Sequence, residues 1–407
     1  MKKHLLLIAV ATFAFNCLSF GQGSSYTGTY TTSAPIVWSG INNQTISKLA
    51  IINSAGHCIS LTNCSNITIQ NCKLGPSLGK GVYLYNCTNI KITNCTMDSV
   101  STGVSANLGT GIKVTYNDVK NVQGPYPQGQ MTQFNQITGG GNVIGYNIAE
   151  NVAGESNPED VVNLYKSSGI AGDPIQVIGN WIRGGGPSAS GGGILAGDNG
   201  GSYVLIKDNI LVNPGQYGIS ICSGRFNSIK NNKIYSKQTA VSNIGLAINN
   251  QYTSFECSSD TIMNNEVNFT RNEGSLKNFW NAGNCGTVIG WSTNVYNPNL
   301  NESILPTKII GRAKGTTTDV VTIPATGTGS YKIYPNSALG ILTVEISGTL
   351  NNDVATIYNL KGQKVIEQSL NDSKTELDVA NLNMGVYIVK LSGTEKSTEV
   401  KKVIMGK

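Results

Sequence analysis

Asparagine returns at one point of a repeating phrase through the middle of this 407-residue chain: Asn71, Asn94, Asn117, Asn147, Asn180, Asn209, Asn232 and Asn265, at intervals of 23, 23, 30, 33, 29, 23 and 33 residues. The first two copies read Asn63-Cys-Ser-Asn-Ile-Thr-Ile-Gln-Asn-Cys and Asn86-Cys-Thr-Asn-Ile-Lys-Ile-Thr-Asn-Cys. A period of this size marks a stacked architecture, because one unit cannot bury its apolar face until a neighbour covers it. Within each unit, short apolar–polar alternations such as Ile67-Thr-Ile and Val82-Tyr-Leu are separated by Gly, Asn and Ser, with no helical period. The repeat therefore predicts a parallel β-helix with one coil per repeat. Asparagines at a bend would stack as a ladder, each amide bonding the coils above and below.

Composition narrows what such a chain does. Only 13% of residues are charged, 48 are Gly, and the formal net charge is +6. Lys and Arg are scattered and form no basic stripe, which argues against nucleic acid as a partner. Residues 1–21 join a positive start (Met1-Lys-Lys-His) to the apolar stretch Leu5–Phe15 and end at Gly21, as an export signal does. No later run approaches the ~18 apolar residues of a membrane helix.

Eight cysteines remain after the signal. Cys64/Cys87 and Cys72/Cys95 are each one period apart, so they are expected to stack as buried thiols. Cys257 and Cys285 are the pair expected to form a disulfide in an exported protein.

The texture changes after residue 305. Residues 22–305 carry the repeats, 306–330 read as a linker, and 331–407 hold more charges with short strands between turns, a small β-sandwich. The fold class is thus all-β: a single-stranded right-handed parallel β-helix followed by a small β-sandwich. Tyr334-Pro-Asn, Leu342-Thr-Val, Tyr358-Asn-Leu-Lys-Gly-Gln-Lys-Val, Leu382-Asn-Met-Gly-Val-Tyr-Ile-Val-Lys and the closing Lys-Lys-Val-Ile, in this order, resemble the C-terminal sorting domain of type IX secretion in Bacteroidetes-type bacteria. Ser337 departs from that family, which usually has a second Pro there. The resemblance implies export through the type IX machinery to the outer-membrane surface or beyond.

Insertions locate the surface where chemistry is expected. Three consecutive coils between Asn117 and Asn209 exceed the 23-residue period. The same stretch gathers Glu150, Glu155, Glu159, Asp160, Lys166, Asp173, Arg183 and Asp198 in a chain otherwise poor in charge. Loops on a rigid scaffold are where binding and catalysis concentrate. Alternation turns Val162/Leu164, Ile194/Ala196, Ile219/Ile221 and Leu246/Ile248 inward. Two residues further on, Lys166, Asp198, Ser223 and Asn250 would share one column, with Lys166 beside Asp198. His57, the one histidine outside the signal, sits in an insertion-free coil and reads as structural. The glycine runs 184–186 and 191–193 read as loops, without the strand-to-helix context of a phosphate site.

The segment Glu159-Asp-Val-Val-Asn-Leu-Tyr-Lys-Ser-Ser is similar to a stretch of alginate-lyase and chondroitinase-B-like polysaccharide lyases. That resemblance implies a carboxylate-held calcium and a lysine base. The Arg-His-Gly expected on the next coil is replaced by Ala196-Gly-Asp.

The reading that follows is a monomeric enzyme acting on an extracellular polysaccharide. In the first mechanism, β-elimination on an acidic polysaccharide, Lys166 takes the proton. Arg183 binds carboxylate, and a calcium ion held by Glu159, Asp160 or Asp198 neutralises it. Tyr165, Asp173, Glu155 and Trp181 complete the expected substrate contacts, with Tyr126, Tyr203 and Tyr217 as further stacking rings. The alternatives are a glycoside hydrolase using a carboxylate pair from Glu155, Glu159, Asp160, Asp173 and Asp198, and a non-catalytic glycan-binding or adhesive protein.

Overall fold

The computed structural model describes residues 23–311 and, in the carboxy-terminal region, 330–336, 341–347, 353–359, 363–379, 381–382, 385–392 and 399–405. The expected export signal lies outside the described residues. So does most of the expected linker. The chain forms two compact units.

The first unit is a parallel β-helix with three faces. One face runs from Ile36–Ser39 through Thr132–Ile137, Val162–Tyr165, Ile194–Asp198 and Tyr217–Ile221 to Phe279–Asn281. A second runs from Asn42–Ser47 through Val143–Gly145 and Ile175–Ile178 to Thr261–Met263. The third is an eleven-stranded sheet from Thr31–Ser33 to Val295–Tyr296. Val82–Thr93 and Val104–Thr115 each run across the first two faces without a break.

Strict two-residue alternation fills the interior. Ile59, Val82, Val104, Thr132, Val162, Ile194, Ile219 and Leu246 stand directly above one another, coil on coil. All are buried. The inward pairs expected from the sequence, Val162/Leu164 to Leu246/Ile248, are all fully enclosed.

The asparagine ladder is present at the bend into the third face, and one residue out of step with the sequence reading at its start. Asn117, Asn147, Asn180, Asn209, Asn232 and Asn265 are fully buried. From Asn147 onward each Oδ1 accepts from the backbone N–H and the side-chain Nδ2 of the asparagine one coil back, as in Asn147 Nδ2 to Asn180 Oδ1 at 3.0 Å and Asn180 Nδ2 to Asn209 Oδ1 at 2.9 Å. Asn294 ends the row, accepting from Asn265.

Asn71 and Asn94 do not occupy this slot. They take the residue before it, where every coil turns through the left-handed region: Asn71, Asn94, Tyr116, Tyr146, Gly179, Asp208, Asn231 and Asn264 all have φ between 54 and 62°. In those two coils the ladder slot belongs to Cys72 and Cys95. The thiol substitutes for the amide: Cys95 Sγ donates to the Ile69 carbonyl at 3.8 Å, as Asn117 Nδ2 donates to the Ile92 carbonyl at 3.0 Å. The expected stacking of Cys72 on Cys95 thus has a specific cause. Asparagine is favoured at both positions because it tolerates the left-handed turn and can satisfy a buried slot. Sequence spacing alone cannot tell the two uses apart.

Cys257 and Cys285 are joined as a disulfide, and the six other described cysteines are free and buried. Residues 306–311, read as linker, instead continue the first unit. Leu305 and Ile309 are buried against Ile148 and Val212, and the backbone N–H groups of Ile309 and Ile310 donate to Glu150 Oε2 at 2.8 and 2.5 Å. Glu150 therefore serves the fold.

The second unit packs a three-stranded antiparallel sheet (Ser330–Asn336, Ile341–Ser347, Lys374–Asp378) on a four-stranded one (Asp353–Asn359, Lys364–Leu370, Gly385–Ser392, Glu399–Met405). Leu342, Val344, Ile357, Leu377, Val389 and Leu391 form its core. That is the expected sandwich. Among the described residues, no helix is long and apolar enough to cross a membrane.

Candidate functional site

A cleft of about 600 Å³ lies on the first face. Its floor is made of two outward rows that the strand register dictates. Tyr83, Ser105, Gln133 and Asn163 form one. Asn107, Asn135, Tyr165 and Asp198 form the other. The inserted loop of residues 124–130 raises a wall with Tyr126, Pro127 and Gln128, and Tyr252 closes the far side.

Three acids meet at one end: Glu159, Asp160 and Asp198. Asn163 joins two of them. Its Nδ2 donates to Asp160 Oδ2 at 2.8 Å and to Asp198 Oδ2 at 2.9 Å, so these oxygens lie within about 6 Å of each other. Asp160 Oδ1 accepts from the Tyr217 hydroxyl and from the Gly192 N–H at 3.0 Å. Asp198 Oδ1 accepts from the Tyr252 hydroxyl at 2.6 Å, and Glu159 Oε1 from Ser190 Oγ at 2.7 Å. Burial pushes the Asp160 carboxyl up to about 6, assisted by the neighbouring Glu159 and opposed by its three donors. Burial and the adjacent Asp160 hold the Tyr217 phenol well above its ordinary range. Tyr252 is raised by burial and by Asp198. Asn163 Oδ1 is buried and has no donor among the described residues.

Glycine makes this arrangement possible at two points. A Cβ on Gly192 would stand 2.6 Å from the Tyr217 ring, and one on Gly191 would stand 2.5 Å from the Glu159 backbone. The run at 191–193, read as a plain loop, lets the backbone close over Tyr217 and reach Asp160. Gly197 sits at φ 69°, and a Cβ there would collide with the Ser223 carbonyl. It forms a bulge that inserts one residue, so Asp198 pairs with Tyr165.

That bulge overturns the expected Lys166–Asp198 column. Lys166 takes a left-handed turn at φ 48° and is exposed. Its ammonium lies over the Tyr165 ring, 5.3 Å from the centroid, and only its backbone N–H reaches Asp198, through the carbonyl at 2.8 Å. Arg183 is likewise misplaced. It stands on the third face and donates to the Glu302 and Leu305 carbonyls at 2.7 and 2.6 Å. Trp181, on the same strand, packs beside Ile148 and Leu305. Asp173 caps a turn, accepting from the Gly141 N–H at 2.8 Å. Glu155 lines a separate groove and accepts from Asn121 Nδ2 at 2.9 Å. Tyr203 stacks on Phe226 away from the acids. Of the expected residues, Glu159, Asp160, Asp198, Tyr165 and Tyr126 line the cleft, and Tyr217 supports it from below.

Calcium fits these acids poorly. Five of their six carboxylate oxygens, including all four on Asp160 and Asp198, already accept from amide or hydroxyl donors, which a cation would have to displace. Among the described residues, no three of His, Cys, Asp or Glu are grouped as metal ligands.

Residues that spacing did not single out are Asn163, Tyr252, Tyr83, Gln128 and Lys80. Asn163 carried a signal, a polar residue between two inward positions directly after the acid pair. The others come from coils or loops whose meeting depends on lateral stacking.

Residues 34–199 match the family model described as a right-handed β-helix region, and residues 332–406 match the secretion system C-terminal sorting domain. A funoran endo-β-hydrolase of Wenyingzhuangia aestuarii is 37% identical over 90 residues, which is 22% of this chain and 12% of that protein. The chain thus spans a small part of that relative. Among solved structures, the catalytic domain of a GH87 α-1,3-glucanase aligns with a TM-score of 0.40 and 13% identity, over 67% of this chain and 60% of the other. The full-length tailspike protein 2 of Escherichia coli O157:H7 bacteriophage CAB120 aligns with a TM-score of 0.40 and 10% identity, over 93% and 58%. Likeness at this level does not bear on chemistry.

Proposed function

We propose that this chain is an exported glycoside hydrolase that cleaves an extracellular polysaccharide with Asp160 and Asp198. The observation that carries the reading is the Asn163 clasp, which holds two carboxyl groups of unlike environment side by side at the end of a long cleft. Asp160, enclosed and raised to about 6, is suited to give a proton to the glycosidic oxygen. Asp198, the less buried of the pair, is the second carboxylate. Retaining pairs are ~5–5.5 Å apart and inverting pairs ~6.5–9.5 Å. The clasp falls nearer the retaining class, so Asp198 attacks the anomeric carbon as the leaving oxygen takes the Asp160 proton. Water then releases the sugar, with Asp160 acting as base.

Two further observations agree. The sorting-domain match supports delivery through type IX secretion, and the relative that is 37% identical over 90 residues is named as an endo-hydrolase. The β-elimination mechanism loses support because its carboxylate ligand, Arg183, stands on the third face, and its base, Lys166, turns onto the Tyr165 ring and is not among the residues that line the cleft. Digestion of a polysaccharide panel tests the proposal. New reducing ends without the ultraviolet absorbance of unsaturated uronates are expected, unchanged by chelator. Absorbance would restore the lyase mechanism, and no product on any polymer would favour adhesion.

A further inference from the structure

The cleft is chemically different at its two ends. Its acids cluster around Asn163, whereas its only lining cation is Lys80. Tyr83, Ser105, Gln133 and Asn163 occupy one row on four successive coils. The Lys80 ammonium lies over the Tyr83 ring, 5.5 Å from its centroid. Lys80 is therefore about three strand spacings, ~15 Å, from the clasp. That exceeds the Debye length of ~8 Å at physiological ionic strength, so the acids are not its counter-ions.

Lys80 lacks a nearer one. Among the described residues, no carboxylate pairs with it. Its acceptor is the neutral Gln128 Oε1, at a long 3.4 Å. Burial disfavours its charged form. An ammonium carries three donors, and here two have no protein acceptor. The surroundings hold it in place: the Lys80 N–H donates to His57 Nδ1 at 3.0 Å, and the His57 ring packs on Tyr83 with centroids 4.8 Å apart. Ser105, Asn107, Gln133 and Asn135 along the floor offer neutral polar groups suited to sugar hydroxyls. A half-buried cation without a counter-ion gains most from an anion.

We propose that Lys80, with Gln128 and the Tyr83 ring, forms a subsite for an anionic substituent, a sulfate ester or a carboxylate, on a sugar bound about three coils from the scissile bond. The substrate is then an anionic glycan. This rests on the cleft being the glycan site, and binding tests it apart from catalysis.

The experiment is affinity electrophoresis of the full chain and of its Lys80→Met and Lys80→Arg variants. Gels are cast with carrageenan or its desulfated form, and with polygalacturonate or its methyl ester. The unsubstituted chain should be retarded by one charged polymer more than by its neutralised counterpart, and the pair that responds distinguishes sulfate from carboxylate. Lys80→Met should weaken that retardation about tenfold, the loss expected for one charge-assisted hydrogen bond, and Lys80→Arg should preserve it. Equal retardation by charged and neutral polymers, or by Lys80→Met and the parent, overturns the subsite and leaves the glycan cleft standing. Retardation by none of the four overturns both.

Discussion

The buried ladder and an exposed one make a matched pair of perturbations. Asn180 lies in mid-stack. Its Oδ1 is the acceptor for the Asn147 backbone N–H and side chain at 3.0 Å, and its Nδ2 donates to the Ile144 carbonyl at 3.0 Å and Asn209 at 2.9 Å. Asn180→Ala leaves the Asn147 N–H without its acceptor and removes the donor to Ile144, in a site water cannot reach. At about 1–3 kcal/mol per orphaned buried group, the cost of the two is about 2–6 kcal/mol. Asn66 makes the same kind of amide ladder on the outside, donating to Asn43 at 3.0 Å and accepting from Asn89 at 2.7 Å. Water replaces those partners. Asn66→Gly, which keeps the left-handed turn, should therefore stay within about 0.5 kcal/mol of the parent. The four tryptophans, Trp38, Trp181, Trp280 and Trp291, all lie in the β-helix, so urea unfolding followed by their fluorescence reads this unit alone. A loss below 0.5 kcal/mol for Asn180→Ala, or equal losses for the two variants, would refute burial as the source of the ladder's strength.

Two more outcomes follow from charge and domain structure. Asp160 and Asp260 are raised by burial from 3.8 to about 6 and about 7, so the folded chain holds more protons than the unfolded one between pH 4 and these values. Stability should fall as pH rises through that window, by about 3 kcal/mol from Asp160 alone, and then level off; Asp160→Asn should flatten its share, whereas stability rising with pH would contradict the assignment. Deleting residues 331–407 should leave the β-helix folded, because the two units have separate cores, while the protein fails to reach the cell surface; normal delivery of the shortened chain would count against the sorting role.

Much of the fold was legible because period-two alternation and coil spacing survive in the residues themselves. The inward columns from Val162 to Ile248 followed from it, whereas the Cys257–Cys285 bond was expected from the export signal and the even cysteine count. The site was legible in part: low charge elsewhere made Glu159, Asp160 and Asp198 conspicuous. Lys166 was misplaced because one glycine with a left-handed backbone, Gly197, shifts the register after Leu195, and a bulge leaves no mark in apolar spacing. Arg183 was misplaced because its partners, the Glu302 and Leu305 carbonyls, come from a segment far along the chain that docks on the third face. The early ladder was read one residue out of step because a cysteine can donate where an asparagine does.

The central claim is that Asp160 and Asp198, held by Asn163, perform the cleavage. Its most direct test is azide rescue of the Asp198→Gly variant on whichever polysaccharide the parent cleaves, with Lys166→Ala in parallel. Asp198→Gly should lose at least ~100-fold in turnover, and azide should restore it with a glycosyl azide of inverted configuration as product, while Lys166→Ala stays near the parent. Full activity of Asp198→Gly, or loss of activity confined to Lys166→Ala, would contradict the account.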